Sequence, residues 1–232
     1  MTRSLAADAI LDNPAWSSLR GAHARFAERN GRAARYQSDV TPFHALQDPA
    51  DPRAWADLTH LVEPGAAVTI AGAGGVAHPG WEVAGSIPGV QFVDVALRAE
   101  PAPEAVRLGG SDVPEILDLI ARTQPGPFLR RTVELGTYIG LRSPEGALIA
   151  MAGERLHPAG WTEISAVCTD PAYRGRGLAT RLIRAVAAGI RERNETPFLH
   201  TSARNTGAIR LYESIGFVLR RRTDFTAYRR LS

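Results

Sequence analysis

The first hundred residues carry apolar positions at helical spacing and then at strand spacing. Trp16, Leu19, His23 and Phe26 recur every three or four residues behind Pro14, which predicts a helix over residues 14–29 with proline in its first turn. The run "DPRAWADLTHLV" (51–62) predicts a second, shorter helix. Three strand-like runs follow, "AAVTIAG", "GWEVAG" and "VQFVDVAL", separated by Gly and Pro. This part of the chain reads as α+β.

The clearest break in the pattern is "LRAEPAPEAVRLGG" (97–110), where prolines and alanines interrupt the periodicity. It divides the chain into an N-terminal accessory lobe, residues 1–104, and a second unit, residues 105–232. The second unit opens with "AVRLGG" as a strand and "SDVPEILDLIART" as a helix, with Ser111 as its N-cap. "TYIGLRS", "ALIAMAGERL" and "TEISAVCT" read as strands joined by the turn sequences "PEG" and "HPAG". A helix from Gly177 to about Arg193 carries Leu178, Leu182, Val186 and Ile190 on one stripe, with its arginines mostly off it. "PFLHTSA" is a further strand, "TGAIRLYESIG" a helix stopped by Gly216, and "FVLRRRTDFTAY" a closing strand.

Composition narrows the class. The 232 residues suffice for one large domain or two small ones with an independent core. A single cysteine, Cys168, excludes an intrachain disulfide framework, and no His, Cys or carboxylate cluster has ligand spacing, so no metal is expected. No window approaches the roughly 18 apolar residues of a spanning helix, and "MTRSLAADAILDNPAW" has no apolar core of signal-peptide length. A soluble cytoplasmic protein without a membrane partner is expected. The formal charge is +3, and every basic side chain apart from His is Arg. Acids balance these arginines except in "LRRRTDFTAYRR", which reads as a solvated strand edge. One strand offers too small a basic face for nucleic acid, so no such partner is expected.

Candidate chemistry centres on "CTDPAYRGRGLATRLIRAV" (168–186), a strand, a tight turn and a helix whose first turn is Gly-rich. That arrangement puts unpaired backbone N–H groups at the positive end of a helix dipole, a general anion site. Gly175 and Gly177 have no Cβ to block a phosphate, and Arg174 and Arg176 add charge. A second glycine-rich stretch, "VTIAGAGGVAHPG" (68–80), has Gly72-x-Gly74-x-x-Ala77 after an apolar strand, with Asp94 about twenty residues on. Pro79, Gly80, Gly85 and Pro88 leave no helix after it, so it is expected to be a strand and a glycine turn, not a dinucleotide site.

Arg174-Gly175-Arg176-Gly177-Leu178-Ala179 fits the Q/R-x-x-G-x-G/A signature of the GNAT superfamily of acetyl-CoA-dependent N-acetyltransferases. Downstream, "NTGAIRLYESIGF" (205–217) resembles that superfamily's second motif, an Asn opening a helix with a Tyr one turn before its Gly-Phe end. The resemblance covers residues 106–228, about half the chain. It implies an α/β (α+β) fold with a mixed, mostly antiparallel, centrally splayed sheet flanked by helices. The α+β pattern of the first hundred residues, outside the resemblance, is compatible with a degenerate second copy of that fold or with an accessory lobe covering the acceptor cleft; an accessory lobe descended from the same fold is expected.

The resemblance also implies roles. The turn of Arg174, Gly175, Arg176, Gly177, Ala179 and Thr180 would cradle the pyrophosphate of acetyl-CoA. Thr169 would meet the pantetheine arm through its main chain and Asn205 through its side-chain amide. The Val167 N–H would face the thioester carbonyl, where a preplaced donor is worth most. Tyr212 would protonate the departing thiolate. Glu163 is the expected base, directly or through water, and strand alternation places Glu163, Ser165, Val167 and Thr169 on one face. His200 reads as a satisfied structural histidine, with proton handling as its alternative role. Cys168 reads as a small buried hydrophobe in preference to a nucleophile. The implied activity is acetyl transfer to a primary amine of a small molecule or peptide, in a ternary complex, with a homodimer compatible. The alternative is a non-catalytic acyl-CoA sensor or structural subunit.

Overall fold

The computed structural model describes residues 9–232. Residues 1–8, part of the stretch read for a signal peptide and of the expected lobe, lie outside the described residues. Helix α1 (Pro14–Arg20) starts as its proline predicts, with the Asn13 side chain accepting from the Trp16 amide. It stops at Gly21, short of the expected Arg29, and a single 3₁₀ turn (Ala24–Phe26) leads into a strand. The reason is a hairpin: β1 (Ala27–Asn30) pairs with β2 (Ala33–Tyr36) around Gly31, whose φ of +51° makes the tight turn. Strand β3 (Phe43–Leu46) and helix α2 (Pro52–Thr59) follow.

Strand β4 (Ala67–Ala71) runs into a turn where Gly72, Gly74 and Gly75 all have positive φ, and no helix follows before β5. Strand β5 (Trp81–Asp94) fuses two of the expected short runs, and Gly85 and Pro88 do not interrupt it. The remaining elements are β6 (Val106–Leu108), α3 (Val113–Thr123), β7 (Tyr138–Arg142), β8 (Leu148–Glu154), β9 (Trp161–Thr169), α4 (Leu178–Glu192), β10 (Thr196–Ser202), α5 (Thr206–Ser214) and β11 (Phe217–Arg230). Ser111 is not the cap of α3. It lies in a 3₁₀ turn, and Asp112 stands at the N-cap, its carboxylate accepting from the Gly109 amide at 2.9 Å.

One sheet runs β1-β2-β3-β4-β11-β5-β10-β9-β8-β7-β6. All neighbours are antiparallel except β3–β4 and β9–β10. The sheet is continuous across the expected division at residue 104: β5, from before it, lies between β10 and β11, from after it. The proline-rich break is thus a crossover from the end of β5 to β6. Val90 and Phe92 of β5 share one core with Leu182, Ile183, Val186 and Ile190 of α4. At the same seam Gly216 ends α5 with φ +107°, and its carbonyl accepts from the amides of Val95 and Ala96. A Cβ there would stand 2.4 Å from the Ala96 carbonyl carbon, so only glycine fits.

The expectation that "LRRRTDFTAYRR" is a solvated edge is corrected, because β11 is interior, flanked by β4 and β5. Most of its arginines have local partners. Arg220 and Arg221 pair with Asp12, and Arg230 donates to the carbonyls of Thr59 and Val62. Among the described residues no helix is long and apolar enough to cross a membrane, and no group of His, Cys, Asp or Glu is placed to hold a metal ion.

Candidate active site

Strands β9 and β10 pair only from Trp161↔Thr196 to Glu163↔Phe198. Beyond that point they part, and a cavity of about 1080 Å³ opens between them. β9 also carries a bulge. It advances from Ser165 to Cys168 while β8 moves only from Gly153 to Met151, and Ala166 takes a φ of +52° to absorb the extra residue. The bulge corrects the expected alternation. Glu163, Ser165 and Cys168 lie on one face and Val167 and Thr169 on the other. Val167 packs with the α4 core, whereas Cys168 packs with Met151. Burial of Cys168 pushes its thiol pKa up, consistent with the hydrophobe reading.

The C-terminal end of β9 leads into the Arg-Gly turn. Gly175 and Gly177 have φ of +77° and +74°, and open space lies where a Cβ would be. The first helical hydrogen bond of α4 is Arg181 N–H to the Gly177 carbonyl. Among the described residues the amides of 175–180 find no partner, which leaves a run of donors around a helix N-terminus. Arg174, Gly175, Gly177, Ala179, Thr180 and Asn205 line the cavity. The Arg176 side chain instead lies over the Tyr173 ring, 4.9 Å from its centroid. Asn205 spends its side-chain oxygen on capping α5 through the Ala208 amide, which leaves its NH₂ for the cavity. The hydroxyl of Thr169, also lining the cavity, is buried without a hydrogen-bond partner. These features fit a pyrophosphate-bearing, amide-bearing ligand: open amides for the anion, and orphaned polar atoms along the arm.

Tyr212 lines the same cavity from α5 and is 7% exposed. Its ring packs against Phe92 and Phe217, and its hydroxyl makes no hydrogen bond among the described residues. Burial pushes its pKa up to about 12, so the phenol holds its proton.

Glu163 is fully buried and does not line the cavity. Arg155 grips it with two hydrogen bonds, Nε to Oε2 at 2.8 Å and Nη2 to Oε1 at 2.7 Å, and His200 Nδ1 lies 2.7 Å from Oε1. Burial alone would raise its pKa, but the charge and hydrogen bonds of Arg155, with the hydrogen bond of His200, overcome that and hold it at about 2. The network fixes the His200 tautomer. Arg220 donates to Gln91 Oε1 at 2.8 Å, so the Gln91 NH₂ faces His200 Nε2 at 3.0 Å, and Nδ1 must carry the proton given to Glu163. Both ring nitrogens of His200 are therefore engaged.

A crystal structure from Novosphingobium aromaticivorans DSM 12444, described as a member of the GNAT family of acetyltransferases, is 39% identical; the match covers 96% of this chain and 99% of that one, with a TM-score of 0.86. The chain belongs to the GNAT family. Residues 138–226 also match the family model of FR47-like proteins. The N-alpha-acetyltransferase RimI of Mycobacterium tuberculosis is 38% identical over 83 residues, 34% of this chain, and the alignment spans about half (51%) of that relative's length. A GCN5-related N-acetyltransferase from Kribbella flavida shares the fold at 14% identity, with a TM-score of 0.61 over 94% of this chain and 95% of that one.

Within this GNAT protein, sequence reasoning missed Arg155, Gln91, Phe43 and Phe225. Arg155 and Gln91 carried a signal, since each is a polar residue interrupting an apolar strand run. Phe43 and Phe225 carried none: they reach the cavity only because β3 and β11 are drawn to it by the sheet order.

Proposed function

We propose that this GNAT protein transfers an acetyl group from acetyl-CoA to a primary amine by direct attack in a ternary complex. The observation that carries the reading is the splayed β9–β10 cavity, with a run of open amides at one end and a buried, protonated phenol on its wall. Residues 175–180 would hold the pyrophosphate, and Thr169 and Asn205 the amide-bearing arm. Acetyl-CoA, when bound, supplies a thioester whose acyl carbon the amine attacks, the C–N bond forming as the C–S bond breaks. The Val167 N–H, on the stretch of β9 that β10 leaves unpaired, would polarise the acyl oxygen. Tyr212 would give its proton to the departing sulfur.

The proton lost by the amine goes to water in this reading. Glu163 is shut off from the cavity and held at a pKa of about 2. It is better suited to positioning Arg155 and His200 than to taking a proton. Calorimetric titration with acetyl-CoA, followed by thiol-release assays across amines, tests the reading. Micromolar binding with turnover supports it, binding without turnover of any amine points to a sensor, and absence of binding overturns it. Tyr212→Phe should lower kcat by 10²-fold or more with little change in acetyl-CoA affinity; unchanged kcat would remove Tyr212 from the mechanism.

A further inference from the structure

The N-terminal half of β9 faces a wall that the transfer reading does not use. The Arg155 guanidinium stacks on the Phe43 ring, 4.9 Å from its centroid. Glu163 joins Arg155 to His200, and the Phe225 ring meets His200 edge-on at 5.8 Å. Ile87 is the cross-strand partner of Phe225. Phe43, Arg155, His200, Phe225 and Ile87 all line the cavity, joined by Pro125 and Pro127 from the loop after α3. Ile164, Phe92 and Leu199 pack on α4, so strand alternation puts Glu163, Gln91 and His200 on the other face of the sheet, and the wall closes the end of the cavity that lies away from the amide-rich start of α4. If the turn takes the phosphates, this end takes the acceptor.

The charge inventory of that end is decisive. Among the described residues, no Asp or Glu lines the cavity. The nearby carboxylate, Glu163, is consumed by Arg155 and His200. Arg155 uses Nε and Nη2 on Glu163, and its Nη1 finds no acceptor among the described residues, although the residue is 8% exposed. A second ammonium group brought here would lose its water without gaining a counterion and would meet a guanidinium. An aromatic or aliphatic body would meet Phe43, Phe225, Ile87 and the prolines, and a carbonyl or carboxylate oxygen would meet Arg155 Nη1.

We infer that the acceptor is a singly charged primary amine on an apolar, preferably aromatic, body with an oxygen acceptor near the amine, and that polyamines and aminoglycosides are excluded. The inference rests on the acetyltransferase reading above. Thiol release would be measured with wild-type protein and acetyl-CoA, using phenylalaninamide, phenylalanine, phenethylamine, a phenylalanine-initiated tripeptide, spermidine and kanamycin. The expected result is a kcat/KM at least tenfold higher for phenylalaninamide than for spermidine or kanamycin, with phenethylamine between them. The tripeptide and free phenylalanine separate a chain terminus from a free amino acid as the source of this chemistry. Ile87→Glu adds a carboxylate at a side chain that is 55% exposed, where folding is not at risk, and should lower the KM for spermidine at least fivefold without raising that for acetyl-CoA. Turnover of polycations equal to or better than the aromatic amines, or no turnover of any aromatic amine while acetyl-CoA still binds, would overturn the acceptor class and leave the cofactor site standing. Loss of acetyl-CoA binding itself would instead condemn the reading beneath it.

Discussion

Glu163→Leu tests the ion pair at the centre of the site. The substitution removes a carboxylate with no exposed surface and leaves Arg155, whose side chain is 10% exposed, with Nε and Nη2 unpaired. Removing one partner of a buried pair costs about 3–5 kcal/mol, because the charge left behind is uncompensated. Against a total stability of about 5–15 kcal/mol this is a large fraction. With an m-value near 3 kcal/mol per molar urea, the unfolding midpoint should fall by about 1–2 M. Tryptophan fluorescence would follow unfolding, since Trp55, Trp81 and Trp161 are all buried. The double variant Glu163→Leu/Arg155→Met removes both charges and should recover most of the loss. A single variant within about 0.5 kcal/mol of wild type, or a double variant no better than the single, would refute the claim that this pair is buried and coupled. The isosteric Glu163→Gln separates position from proton transfer. A fall in kcat below tenfold fits positioning; a fall above 10²-fold with loss of the acidic limb of the pH profile would make Glu163 the base.

Gly216→Ala should destabilise by about 2–4 kcal/mol in urea melts, because the residue combines positive φ with a backbone carbon 2.4 Å from any Cβ; an unchanged midpoint would mean that the seam is looser than described. Gly177→Val should weaken acetyl-CoA binding more than tenfold by calorimetry, since the side chain would project among the open amides at φ +74°. Stability should fall as pH drops from 6.5 toward 4. Burial, with His157 nearby, lowers the His23 pKa to about 4, and burial does the same to His44. The unfolded chain therefore binds more protons in that window, each histidine contributing up to about 3 kcal/mol of the loss. Glu163, also depressed, adds a further loss below its ordinary value of 4.5. A urea midpoint that stays flat between pH 6.5 and 4 would contradict the burial of both imidazoles.

The parts of this site that were legible in the sequence are those whose chemistry lies in consecutive residues. The turn from Arg174 to Thr180 declares itself because its glycines, its arginines and the helix start are covalent neighbours, and the fold only has to aim them. Tyr212 is legible for a related reason, since the capping Asn205 and the stopping Gly216 bracket its helix. The acceptor wall is different in kind. Phe43 comes from β3, Arg155 from the residue after β8, Glu163 from β9, His200 from β10 and Phe225 from β11, and only the sheet order makes them neighbours. The bulge at Ala166 was hidden as well, because alanine is no turn residue and its positive φ is imposed by pairing with β8. That one inserted residue is what turns the Val167 side chain onto the α4 face, away from Glu163, where alternation had put both on one face. The division at residue 104 fails on similar grounds. Proline and alanine mark a crossover as readily as a linker, and the strand that precedes them, β5, lies between β10 and β11 and brings Ile87 to the cavity. The N-terminal residues are thus part of the catalytic sheet in this chain, and the substrate class read from Phe43 and Ile87 depends on them.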